Sequence, residues 1–203
     1  SLSGDPFVFG STEVLAAPMH AQRYSGFREC LSLLGRLGLT YDCWLFNTNI
    51  RQLTEAARAC PGTTIVCNHA AYPLGIGPYA DKARRHELFT HWKEDMMELA
   101  QCSNVYCKVG GLTQYHCQFG GPVPWGSLDR DEPPSSQEIA DTLAPWYYHC
   151  IDTFGPKRCM FESNWPLDRA SWSYTNLWNA YKRLANLYGS ADQLALFHDT
   201  AVR

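Results

Sequence analysis

The sequence predicts an α/β fold built on parallel strands, and three observations carry that prediction. Four short runs, Tyr41–Phe46, Thr64–Asn68, Asn104–Val109 and Cys159–Phe161, are rich in β-branched, aromatic or cysteine side chains and too short for helices. Helical periodicity fills the stretches between and after them. The resulting order is one helix and then β-α repeated, which is the grammar of a parallel sheet with helices packed on it. Two architectures satisfy it, a four-stranded open sheet or part of a (β/α)8 barrel.

Each element has its own local reason. Residues 1–24 show no clean period and are punctuated by Gly4, Pro6, Gly10 and Pro18, so an irregular lead-in is expected. From Ser25, apolar residues recur at Phe27, Cys30, Leu31, Leu34 and Leu37, with Gly38 as the stop. After the first strand, Asn47-Thr-Asn49 reads as a capping turn. The helix that follows carries Ile50, Leu53, Ala56, Ala57 and Cys60 on one face and ends at Pro61-Gly62. The second strand stops at His69, before a Gly/Pro-rich loop through Pro78. A third helix is expected over about Arg85 to Cys102, with Leu88, Trp92, Met96 and Leu99 as its apolar face. The third strand ends at Gly110-Gly111. A long connection then runs from Leu112 to Pro134, the kind of segment that in a compact domain usually serves function. Ser135 or Ser136 caps a helix to Phe154. Gly155-Pro156 ends it and delivers the fourth strand. Ser171 or Ser173 starts a helix to about Tyr188, and Ser190 caps a short terminal one reaching about His198. The 203 residues suit a single domain.

Composition narrows the function classes. The net charge of −3, without a basic stripe, speaks against nucleic acid as a partner. No apolar run approaches a membrane span and the N-terminus lacks a signal-peptide pattern, so no membrane partner is expected. Nine cysteines, an odd count with no CxxC pair and several inside apolar patterns, read as buried reduced thiols. A reducing, cytoplasmic setting follows as the expectation. No Gly-x-Gly-x-x-Gly turn follows any strand, which removes support for a dinucleotide cofactor.

Chemistry collects at three strand exits. The second strand gives Asn68-His69, the third gives Lys108 before Gly110-Gly111, and the fourth gives Glu162, Ser163, Asn164 and Asp168. Parallel strands bring these groups to one end of the sheet, where catalytic residues of such folds gather. A histidine, a lysine and carboxylate or carboxamide groups suit hydrolysis: a cationic or Lewis-acid group polarises a carbonyl, and a base takes a proton from water. Each residue also has a plain structural reading: a hydrogen-bonded histidine, a snorkelling lysine, a paired glutamate, an Asx-turn asparagine. Tyr72, Tyr115, Trp125 and Trp165 are candidates to line a pocket for a ring or sugar-like small molecule. His116, in the long connection, reads as exposed rather than catalytic. Trp92, Trp146 and Trp178, on helices, read as core.

The runs "IVCNHAAYPLGIGPY", "NVYCKVGGL", "FGPKRCMFESNWPLDRASWSYTNLWNAYKRL" and "LFHDTAVR", in this order and spacing, resemble the C-terminal half of an amidohydrolase-related protein. That resemblance covers about residues 25–203. It implies a (β/α)8 TIM barrel, of which this chain supplies about the last four βα units, and an activity that opens a lactone or similar cyclic ester with activated water. Within the family's range, a decarboxylase on the same fold is the alternative, and a barrel reduced to a binding or structural protein is a third reading. The resemblance also implies a divalent metal, zinc or manganese, in the complete protein, with a metal-free lactonase as the alternative, and a homodimer. It makes His69 a metal ligand or carbonyl polariser. Asn164 falls where many relatives carry a metal-binding, water-activating Asp; an amide cannot take a proton, which leaves Glu162 or Asp168 to act as base. No His-x-His motif occurs in the sequence, so the expectation is a C-terminal fragment of the barrel.

Overall fold

The computed structural model describes residues 25–75, 79–112, 117 and 132–203. Four strands, β1 (Tyr41–Cys43), β2 (Ile65–Cys67), β3 (Val105–Val109) and β4 (Cys159–Phe161), form one sheet in the order β1-β2-β3-β4. Every pairing is parallel. The described helices are α1 (Ser25–Arg36), α2 (Ile50–Ala59), α3 (Lys82–Ala100), α4 (Ser136–Phe154), α5 (Tyr174–Ala185) and α6 (Ser190–Leu194). The α/β class and the parallel sheet are as the sequence predicts.

The register explains the cysteines. Cys43, Cys67, Cys107 and Cys159 stand opposite one another on successive strands and form a row across the sheet. All four are fully buried, and the Cys159 thiol donates to the carbonyl of Cys150 on α4. Small, weakly polar side chains at this level let helix and sheet approach closely. All nine cysteines are free, and Cys30 alone among them is exposed. Alternation along the strands puts Asp42, Val66, Tyr106, Lys108 and Met160 on the opposite face.

Polar staples fix the N-terminal ends of the strands. The Asn104 amide donates to the carbonyls of Ala57, Cys60 and Thr63, closing the end of α2 just before β3. Arg158, just before β4, donates to Ala100, Cys102, Val105 and Phe154, closing the ends of α3 and α4 together. Helix C-termini carry unsatisfied carbonyls, and here side chains satisfy them. The C-terminal strand ends are thereby left to loops.

Several boundaries differ from expectation. β1 is shorter than the apolar run Tyr41–Phe46, because Leu45 makes only an isolated bridge and Asn47–Asn49 already turns as a 3-10 helix. Asn47-Thr-Asn49 is a turn but places no side chain on the α2 N-terminus; Asn49 donates to Gln52 instead. α3 begins at Lys82, three residues before Arg85, because the Asp81 carboxylate accepts from the amides of Ala83 and Arg84. Ser135 caps α4 in a reciprocal box with Glu138. Ser173 caps α5, which ends at Ala185 rather than near Tyr188. α6 is preceded by Gly189 at its cap position, not Ser190, and runs into a π-turn over Ala195–Asp199. Trp92 and Trp146 are buried as expected of core residues, and Trp178 is half-buried.

Candidate active site at the strand exits

At the end of β2 the backbone does something costly. His69, Ala70, Ala71 and Tyr72 all have positive φ, at 56°, 49°, 58° and 39°. Four successive non-glycine residues make a left-handed turn, a conformation that costs roughly 1–2 kcal/mol per residue. Surrounding contacts hold it. The Trp92 indole on α3 donates to the Ala70 carbonyl at 2.9 Å, the Asn47 backbone N–H donates to the Tyr72 carbonyl at 3.3 Å, and the Leu74 N–H donates to the Asn47 side chain at 3.0 Å. Ala70, Ala71 and Tyr72 are fully buried. Asn164, past β4, is a further positive-φ residue, at 48°. Strain of this kind persists only where neighbours over-determine it, and it gathers at functional sites.

The turn aims the His69 imidazole across β3 at the end of β4. His69 Nδ1 hydrogen-bonds to Glu162 Oε1, joining residues 93 apart in sequence. The two side chains keep 12% and 17% of their exposure, so the pair is largely but not wholly shielded from solvent. An ionised carboxylate only accepts, so Nδ1 carries the shared proton and a neutral ring keeps its lone pair on Nε2. Gly110-Gly111 at the end of β3 lies beneath this pair. A Cβ on Gly111, which has φ of 72°, would strike the imidazole, including Cγ at 2.7 Å, and one on Gly110 would strike the Glu162 carbonyl and side chain. The two glycines are therefore a packing requirement of the pair. Tyr181 on α5 donates to the Glu162 carbonyl at 2.8 Å and stacks on Phe161 at 4.6 Å, fixing the backbone that carries the carboxylate.

The other candidates fall around this centre. Asn164 Nδ2 donates to Asp168 Oδ1 at 2.8 Å, and Asp168 is buried. Tyr72 packs its ring edge-on against His69 with centroids 4.8 Å apart. Burial pushes the Tyr72 phenol up, and the nearby Cys117, Asp168 and Glu162 add to the shift. The same carboxylates add to the burial that raises Tyr147 and Tyr181. Arg85 on α3 donates to the Cys117 carbonyl at 2.6 Å, tying that residue to the β2 side of the site. Trp165 is 38% exposed and meets Tyr174 edge-on at 5.3 Å, forming an exposed aromatic pair. Lys108 has a partner of its own. Its Nζ pairs with Asp42 on β1 at 2.7 Å, on the sheet face opposite the cysteine row. Tyr115, Trp125 and His116 lie outside the described residues.

A structural or catalytic zinc-type ion needs three or four ligands. Among the described residues no three His, Cys, Asp or Glu side chains stand together to hold one. His69 already gives Nδ1 to Glu162, and Asn164 offers only a neutral amide oxygen. The described residues do not make a metal site by themselves.

Sequence reasoning placed His69 and Glu162 at the exits of the second and fourth strands but did not pair them, and it missed Asp42 and Tyr181. Asp42 carried a signal: a charged residue inside an apolar strand, on the same alternating face as Lys108.

The amidohydrolase family profile matches residues 11–203. The chain is 32% identical over 176 residues to an uncharacterized protein of Sinorhizobium fredii, covering 87% of this chain and 48% of that protein. It is 27% identical over 168 residues to a Burkholderia multivorans protein named L-fucono-1,5-lactonase, covering 80% and 50% respectively. The chain thus spans about half the length of these relatives. Among solved structures, a zinc-bound amidohydrolase from Burkholderia multivorans superposes with a TM-score of 0.72 at 22% identity, over 89% of this chain and 57% of the other. A Pseudomonas putida protein named only as a candidate 2-pyrone-4,6-dicarboxylic acid hydrolase superposes at 0.54 with 21% identity, over 86% and 54%. The four parallel strands with their helices are the corresponding part of a TIM-barrel fold. By this match over nearly its whole length, and by the fold that agrees with it, the chain belongs to the amidohydrolase family.

Proposed function

We propose that the His69–Glu162 pair activates water to open a lactone or similar cyclic ester. The observation that carries this reading is the half-buried hydrogen bond from Nδ1 to the Glu162 carboxylate, held by a strained turn and two glycines. Glu162 fixes the ring and its tautomer, and Nε2 is then the base. Water attacks the lactone carbonyl carbon while Nε2 takes its proton. The tetrahedral oxyanion collapses, the ring C–O bond breaks, and Nε2–H returns the proton to the leaving alkoxide. The product is the open hydroxy acid, with atoms and charge balanced. General base catalysis of this kind contributes roughly 10²–10⁴-fold. The distant relatives named lactonases support the cyclic-ester substrate.

The test is a panel of sugar and aromatic lactones, followed by proton release at constant pH, with the whole protein and its His69→Gln variant. The reading expects ring opening that falls at least about 100-fold in the variant. Decarboxylation of a carboxylate substrate without lactone opening would contradict it.

A further inference from the structure

An open cavity of about 570 Å³ lies between α2 and α3, a volume that suits a small ligand. Two of its lining residues are the ones that pin the left-handed turn. Asn47 takes the Leu74 N–H on its Oδ1 and gives its own backbone N–H to Tyr72, and the Trp92 indole donates to Ala70. Asn47 is half-buried, and its Nδ2 completes no hydrogen bond among the described residues. The charged lining is balanced rather than one-sided. Arg51 Nε is held by Asp95 at 2.8 Å. Arg84, Glu87 and His91 stand three and four residues apart on one exposed face of α3. Their side chains complete no hydrogen bond or ion pair among the described residues.

We infer that this cavity is an effector site for a polyhydroxy carboxylate, and that the bound acid stiffens the turn that carries His69. A guanidinium fork such as that of Arg84 suits a carboxylate. Glu87 beside it repels a dianion such as phosphate but accepts from hydroxyl groups, and Asn47 Nδ2 donates to them. A ligand oxygen on Nδ2 restrains the side chain that already holds Leu74, and with it the backbone that holds Tyr72. The two sites are then coupled through one residue, and the coupling is reciprocal. The open hydroxy acid released by the reaction proposed above has this chemistry. That identity rests on the hydrolytic reading; the cavity and its link to the turn do not.

The experiment titrates the whole protein and its Arg84→Gln variant calorimetrically with gluconate, with sorbitol as the polyol lacking the carboxylate and acetate as the carboxylate lacking the hydroxyls. Hydrogen–deuterium exchange across residues 69–74 is followed with and without gluconate. We expect gluconate to bind the wild type with a dissociation constant of about 1 mM or tighter, and sorbitol and acetate to bind far more weakly. Arg84→Gln should weaken gluconate at least about 10-fold while the unfolding midpoint stays level. Gluconate should slow exchange across residues 69–74 at least about 5-fold in the wild type and not in the variant. No gluconate binding, or binding that Arg84→Gln leaves unchanged, overturns the inference; the latter places the acid elsewhere, as at His69 itself. Equal binding of sorbitol overturns it too, and so does binding that leaves exchange at the turn unaltered. A protein that binds gluconate in this way but opens no lactone removes the hydrolytic reading and leaves the effector site standing.

Discussion

Gly111 and Glu162 have the most predictable consequences at the scale of single residues. Replacing Gly111 by alanine puts a methyl group into the His69 ring and imposes a positive φ of 72° on a residue that has a Cβ. Stability should fall by about 1–3 kcal/mol, read by chemical denaturation, with activity lost beyond the stability change. Glu162→Gln keeps the shape but removes the charge that favours the Nδ1–H tautomer; kcat should fall about 100-fold while the fold stays intact. Lys108→Met provides the contrast. Lys108 and Asp42 keep 28% and 50% exposure, and a pair that open to solvent contributes less than about 1 kcal/mol. Its removal should leave kcat within about 3-fold; a loss of 100-fold would restore Lys108 to the chemistry. These residues also mark what the sequence could and could not disclose. His69 and Glu162 were visible as polar groups at strand ends. Their pairing was not, because it depends on a left-handed turn built from His-Ala-Ala-Tyr, in which no glycine marks the positive φ and two alanines and a tyrosine speak against it.

At the scale of elements, the left-handed turn and α3 act as one unit. Trp92 links them through its indole hydrogen bond to Ala70. Trp92→Phe retains most of the packing but leaves the Ala70 carbonyl buried without its donor. We expect a loss of about 1–3 kcal/mol and faster amide exchange across residues 69–72, measured by hydrogen–deuterium exchange. Helix–helix contact also sets a pH dependence. Burial lowers the pKa of His149 on α4 despite its hydrogen bond to the Lys93 carbonyl on α3 at 3.1 Å. The folded protein therefore binds a proton there less readily than the unfolded chain does. Stability is full above the ordinary histidine value of about 6.5 and declines as pH falls through it toward the lower folded value. His149→Gln should flatten the stability–pH curve in that acidic window. Most elements were legible because their apolar period and caps agree, as with Ser135 and Glu138 around α4. The ends that shifted did so for short-range reasons, such as the Asp81 cap that starts α3 early.

The whole molecule divides labour between the two ends of its sheet. At the N-terminal end, Asn104 and Arg158 lock helix ends to strands through seven hydrogen bonds to carbonyls. At the C-terminal end, strain, paired glycines and a half-buried His–Glu couple replace that regularity. The parallel pairing was readable from the β-α alternation, but the order β1-β2-β3-β4 was not, and the choice between an open sheet and part of a barrel came only from the family resemblance. Sheet curvature depends on tilt and register, which local pattern does not encode; comparison with larger solved barrels supplies that context. No described helix is long and apolar enough to cross a membrane.

The claim on which the rest depends is that Glu162 holds His69 with its proton on Nδ1 and its lone pair on Nε2. Nitrogen-15 NMR of imidazole-labelled protein, near neutral pH and with Glu162→Gln as the comparison, tests it without any assumption about substrate. The account predicts a protonated Nδ1 coupled to the Glu162 carboxylate and a bare Nε2 in the wild type, with that preference lost in the variant. A His69 resonance showing the proton on Nε2, unchanged by Glu162→Gln, would contradict it.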